Sequence, residues 1–406
     1  MALKRYYPSK DTSIANYDKV YYDNKVQITA SNMGASEILN MYQYSFTRVS
    51  MSMSVTGPDS GTFVPVLDES GSLVIETVLA RSNVLIDFDV VVLPSTASSI
   101  FLKMFDAQHA ETLPGGYRAV VQDLDVDWTE GTGQDLDYYK DLGAANWVSA
   151  TLNTEWAEPG AEQPTVGVSY SFNTGHEDLE VDLTALATGT LWPSRGYIVS
   201  VDTAYSASDL YIKKFHSRHT HFPKKRPYLE VRWNDSTAVT SSIDKFKCSV
   251  GVWSGSYLDL PKSGSSFITG SLSGAIETVS NVQLDPTGTL IFKMPNLKPE
   301  YETTEVPTLR VDITPKDWEL AVVPSVSLKH ALTNLYYRVV DDVSGEVLVP
   351  FGTGSVAYTK LSYDDNGNFF RFDMNNLAPG YVYSIDFWNS GSSTLSKSKE
   401  FKFRVR

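Results

Sequence analysis

The chain has 406 residues, of which 42% are hydrophobic and 20% charged, enough apolar residues for two or three packed cores and too few charges for a disordered polymer. No apolar run reaches the roughly 20 residues of a membrane-spanning helix, and residues 1–8 lack the apolar core of a signal peptide. A formal net charge of −14 argues against a general nucleic-acid binder, and the lone cysteine, Cys248, excludes a disulfide framework or a Cys-rich zinc module.

Period two dominates the chain in order. Val84–Val90 begins apolar and then alternates, and Glu180–Leu183, Leu229–Trp233, Leu309–Ile313 and Phe401–Arg406 alternate more cleanly. One apolar and one polar face is the pattern of a half-buried antiparallel strand. Asn366-Gly367 between two strand-like runs predicts a hairpin. A helix is predicted over Ser95–Ala110, where Ile100, Phe101, Met104 and Phe105 follow helical spacing after Pro94. A second, short one is predicted through Leu183–Ala187.

Polar, small residues at Asn234–Ser242 read as a linker, and the Pro- and Glu-containing Asn296–Pro307 reads as a second joint. The pieces are then 1–237, 238–300 and 301–406. The first is large enough for a double-sheet sandwich or jelly roll. The last has the size of an immunoglobulin-like sandwich, and the middle piece is a small β segment, short for an independent fold. The expected class is therefore mainly β, a jelly-roll-like β-sandwich followed by smaller immunoglobulin-like β-sandwich structure.

Charge is uneven. Residues 1–237 hold 18 basic and 30 acidic side chains, a net of −12, and the remainder holds 16 and 18, a net of −2. Seven acids lie between Asp123 and Asp141 and seven bases between Lys213 and Arg232. Either these are two solvated faces, or opposite patches meet within the fold or between subunits. Lys213, Lys214, Arg218, Lys224, Lys225 and Arg226, with Asp135 and Asp137, are the candidate interface residues. The basic run also interleaves with Phe215, Phe222, Tyr228 and Trp233, a combination that suits single-stranded nucleic acid, but the surrounding charge opposes it.

No phosphate-binding glycine loop is present, and Gly251-Val-Trp-Ser-Gly255 misses the nucleophile-elbow spacing by one. Cys248 reads as a buried thiol. His216, His219 and His221 include two residues that share a face on a strand, but no Cys or carboxylate nearby completes a metal set, and four adjacent bases oppose a cation. Asp123, Asp125 and Asp127 alternate and are the carboxylates best placed for calcium, although EF-hand spacing is missing. The competing reading makes this stretch and Trp128 a sandwich corner. No catalytic residue and no cofactor is assigned.

Several stretches together resemble the DNRLRE-type β-sandwich of cell-surface and virion proteins: Ser9–Ile14, Asn32–Leu39, Trp128–Gly133, Ala145–Trp147, Val181–Thr184 and Arg195–Val199. The closing stretch, Phe215–Arg218 with Arg226–Ser236, is similar to a recurrent element of tailed-bacteriophage structural proteins, as are Leu309–Trp318, Tyr336–Asp342 and Pro350–Gly354. The resemblance implies a non-enzymatic virion component of a tailed double-stranded DNA phage, made in the host cytoplasm. Its expected partners are other virion proteins of the portal, neck, collar or capsid, with further copies of itself, and neither a membrane nor specific nucleic acid. It implies that Trp128, Gly131, Gly133 and Trp147 shape turns and core, and that Arg226–Trp233 forms a closing strand. Two rivals remain at this level. One is a carbohydrate-binding adhesion module using exposed Trp192, Trp253 or Trp388; the other is a polysaccharide hydrolase working through Asp123, Asp125, Asp127 or Glu130.

Overall fold

The computed structural model describes residues 2–21, 24–49, 51–53, 63–89, 97–109, 116–134, 141, 143–164, 166–186, 195–202, 211–248, 274–280, 282–316, 329–392, 394–396 and 399–406. The protein is mainly β, built of β-sandwich sheets, and its described helical segments are single 3-10 turns. Two compact units are present, one of Leu3–Asn234 with Asn375–Pro379, the other of Asp235–Met374 and Gly380–Arg406 with Met1–Ala2.

In the N-terminal unit a four-stranded antiparallel sheet runs in the order Leu3–Tyr6, Tyr228–Trp233, Ala97–Met104, Leu179–Asp182. A larger antiparallel sheet runs Val168–Phe172, Tyr117–Asp123, Tyr197–Val201, Ile75–Phe88, Pro8–Tyr21, Asn24–Ile28. Ile38–Val49 also pairs with the long Ile75–Phe88 strand and carries Tyr211–His216 on its other edge. The two sheets join at a corner where Asp106 bridges Phe215 and Ala107 N donates to Lys214 O at 2.9 Å.

The central strands of the larger sheet are covered on both faces. Val84 and Ile86 alternate with Leu85, and Tyr197 and Val199 alternate with Ile198, yet all six are buried. Leu85 and Ile198 pack with Ile14 beneath Trp128, Trp147 and Trp156 of the 124–161 segment. Double coverage explains why Val84–Ile86 reads as a continuous apolar run.

The predicted helix over Ser95–Ala110 is instead the Ala97–Met104 strand, internal to the smaller sheet. Ile100, Leu102 and Met104 are buried on one face, and Phe101 lies on the other beneath the Arg232 guanidinium, 4.2 Å from its ring centre. Apolar residues on both faces of one strand mimicked a helical period. The second predicted helix is one 3-10 turn, Thr184–Leu186.

In the C-terminal unit one sheet orders Ala238–Val239, Ser362–Asp364, Gly367–Arg371, Thr308–Pro315, Leu290–Lys293. The other orders Glu300–Tyr301, Phe401–Val405, Val382–Asn389, Leu335–Asp341, Val347–Val349. Aromatic rings join their inner faces: Tyr337 stacks on Phe370 at 4.4 Å, and Phe387 meets Phe370 at 6.2 Å and Phe292 at 6.1 Å. Strands from both sides of the 300/301 division share these sheets, and the stretch read as a linker contributes Ala238–Val239. The predicted hairpin forms with its loop one residue early: Asp364 pairs with Gly367, so Asp365-Asn366 makes the turn and Gly367 opens the next strand at φ 103°. Only glycine tolerates that angle without strain.

Candidate functional site

Six of the separated sequence stretches meet at one corner of the N-terminal unit. Asn32 Nδ2 donates to Glu130 O at 2.9 Å, Gly133 N donates to Asn32 Oδ1 at 3.2 Å, and Ala35 N donates to Gly133 O at 2.8 Å. A Cβ at Gly133 would collide with the Asn32 backbone, and Gly131 sits at φ 78° against the Asn32 amide. Glycine is required at both for the two segments to approach. Ala145 N donates to Thr129 O at 2.7 Å, and Trp128 Nε1 donates to Arg195 O at 3.1 Å.

Charged groups lock this corner. Arg218 Nε and Nη2 donate to the two carboxylate oxygens of Glu130 at 2.7 and 2.5 Å, a bidentate pair. Asp11 N donates to Glu130 Oε1 at 2.8 Å, and Arg218 N donates to Asp11 Oδ2 at 2.6 Å. Three residues more than 85 positions apart are thus tied in a ring. Asp11 is fully buried, and its Oδ1 has no hydrogen-bond partner. Burial pushes its carboxyl up to about 7, opposed by the Arg218 amide and reinforced by the Glu130 charge. The Glu130 hydrogen bonds in turn hold the Arg218 guanidinium above its ordinary value.

Ligand atoms of Asp11, Glu130 and His219 lie within 4.8 Å of one another. Arg218 already occupies both Glu130 oxygens, so a cation there competes with a bidentate ion pair, and the donor set fits an internal clamp better than a metal centre. The same two carboxylates do not make an accessible acid–base pair, because Asp11 is sealed from solvent.

The other sequence candidates are dispersed. The strand carrying Asp123 ends there, so Asp125 and Asp127 lie in the following loop and the three carboxylates do not share a strand face. Asp123 is half-buried with its carboxyl pushed up by burial; Asp125 is exposed and accepts from Gln163 Nε2 at 3.2 Å; exposed Asp127 lies 3.9 Å from Arg195 Nε. The histidine strand likewise ends at His216, and His219 and His221 follow in a turn, the latter 2.8 Å from Glu37. Trp388 is half-buried between Tyr336 and Phe351. Asp135, Asp137, Trp192 and Trp253, the Gly251–Gly255 stretch and the side chain of Cys248 lie outside the described residues.

Of the basic candidates, Lys213 is fully buried and cannot present its ammonium to a partner. It pairs with Asp106 and donates to Gly175 O at 2.7 Å and Glu177 O at 2.9 Å. Arg218 is committed to Glu130 as described. Lys214, Lys224 and Lys225 are half-buried, and Arg226 is exposed. The clamp residues Asp11 and Arg218 were separately visible in sequence, but nothing local marks them as neighbours across 207 positions.

No family model matches the chain, and no curated protein matches it. Among solved structures, the adhesin domain of Epf from Streptococcus pyogenes aligns over 100% of this chain and 99% of that one, at 10% identity and a TM-score of 0.17. A score so low carries no statement about this chain's fold or function.

Proposed function

We propose that this protein is a non-enzymatic structural component of a tailed-phage virion, docking through repeated protein–protein contacts at the neck, collar or portal vertex. The reading rests on the order of the sequence stretches that resemble the DNRLRE-type sandwich of cell-surface and virion proteins and, in the closing and later stretches, tailed-phage structural proteins. The observation that carries it further is their convergence: Asp11, Asn32, Glu130–Gly133, Ala145 and Arg218 come from five stretches and build one clamped corner. The residues on which the resemblance rests do architectural work here, which supports a resemblance of scaffold. Repetition on a symmetric particle turns weak contacts into avid binding, and exposed Arg226 is the basic candidate best presented for such a contact.

Immunogold electron microscopy of intact particles, with antibody against the native chain, tests this. Gold at one vertex or the neck is the expected result. Gold over the whole shell makes the protein a capsid decoration, and bare particles overturn the virion assignment.

A further inference from the structure

A cleft of about 500 Å³ opens at the sheet corner of the N-terminal unit, lined by Asp106, Gln108, His176, Asp178, His216, Phe222 and Lys225. Its volume lies within the range of small-molecule sites, about 300–1,000 Å³. Six of the seven lining residues carry a polar group, yet the lining presents somewhat more apolar than polar surface, so the cleft offers both kinds of contact. The seventh, Phe222, is a large aromatic left 60% exposed, with its ring set edge-on to His216 at 5.7 Å and 70°.

The polar groups are held in place from behind. Buried Lys213 ties Asp106 to the carbonyls of Gly175 and Glu177, on either side of His176. Asp106 N donates to Asp178 Oδ1 at 2.8 Å, and Tyr170 OH donates to Asp178 O at 3.0 Å. His216 Nδ1 is engaged by Thr220 Oγ1 at 3.1 Å, leaving Nε2 for a ligand. Such fixed supports are what a recognition site needs, because its polar groups need not be ordered on binding. Lys213, read from sequence as a surface contact, is here a positioning residue.

Charge narrows the ligand class. Two carboxylates, Asp106 and Asp178, are balanced by Lys213, paired to Asp106, and by Lys225 in the lining, so the cleft selects neither anion nor cation. From these features we infer that the cleft binds a neutral saccharide, with the apolar face of one sugar ring on Phe222 and its hydroxyls on Asp178, Gln108, His176 and His216. Carboxylate and amide groups accept and donate to vicinal hydroxyls, and an exposed ring supplies the apolar platform. Burial, with Lys225 adding to it and the Asp106, Asp178 and Glu37 carboxylates opposing, lowers the His216 proton affinity. The inference stands on the cleft alone and does not depend on location in a virion.

Saturation-transfer NMR on the full chain tests it, using the methyl glycosides of glucose, galactose, mannose, rhamnose, N-acetylglucosamine and N-acetylgalactosamine. Glucuronate and sialic acid serve as charged counterparts. At least one neutral glycoside is expected to show transfer to its ring C–H protons. Phe222→Ala is expected to weaken that binding about tenfold or more, as for a truncated aromatic anchor. Gln108→Ala, another exposed position, is expected to weaken it as well, while Val166→Ala, exposed and outside the cleft lining, leaves it unchanged. Absence of transfer to every neutral glycoside, transfer confined to the charged pair, or full binding by Phe222→Ala overturns the inference.

Discussion

Beside an apolar core that includes Tyr197, Phe172 and Phe215, the N-terminal unit buries Lys213, Asp11 and Glu230, each held by partners far away in sequence. In the C-terminal unit the equivalent positions belong to Phe372, Phe387, Phe403 and Tyr383, whose rings touch one another and their neighbours. Its described ion pairs, such as Arg310–Asp364, lie mostly toward the surface. A buried pair adds little net stability but tolerates few alternative arrangements, whereas an aromatic core draws directly on area removed from water. The first sandwich therefore adds long-range buried charge to its apolar core, the second leans on clustered aromatic rings, and the two should respond to different perturbations.

The largest effects come from opening each kind of core. Lys213→Met strands the Asp106 carboxylate and is expected to destabilise the N-terminal unit by about 3–5 kcal/mol. Phe387→Ala leaves a cavity and is expected to destabilise the C-terminal unit by a similar amount, about 3–5 kcal/mol. Hydrogen exchange resolved by segment reads each unit separately, as two units need not unfold together. Adding Asp106→Leu to Lys213→Met sharpens the contrast: stability should largely return if charge is what that corner requires. If the double variant stays as unstable as the single, specification by charge is the wrong description.

A smaller effect separates the units by pH. The folded Asp11 carboxyl sits at about 7 against an ordinary value of 3.8, so the native state binds the proton more tightly than the unfolded chain. Its contribution is complete below about pH 4 and is lost as pH rises to about 7 and beyond. The N-terminal unit should therefore weaken over that window through this group, and Asp11→Asn should flatten the slope. The variant is expected to gain about 1–2 kcal/mol at pH 8 and change little at pH 5, measured by urea unfolding at both values. The smallest effect is at the surface, where Arg310→Ala is expected to cost the C-terminal unit under about 1 kcal/mol and to lose even that in high salt.

The sequence disclosed strands better than sites. Leu309–Ile313 and Phe401–Arg406 alternate in the chain and alternate in the fold, because one face of each meets a core and the other does not. Ala97–Met104 deceived because Arg232 covers its second face, so an aromatic stands where a polar residue was expected. The same double coverage hides Glu230, buried between Arg5 and Arg232 on a strand whose pattern promised an exposed acid. The burial of Lys213 left one available signal, since on a period-two strand it shares a face with Phe215. A run of seven bases masked it. The Asp11–Glu130–Arg218 ring had no local signal, because its members are joined by topology alone.

The seclusion of Lys213 also makes it a chemical reporter. An amine-reactive ester will label Lys214, Lys224 and Lys225 from solvent but meets Lys213 only when the strand edge lifts and its hydrogen bonds to Gly175 and Glu177 part. The lag between labelling at adjacent positions 213 and 214 thus times the opening of that corner, with no probe added to the chain.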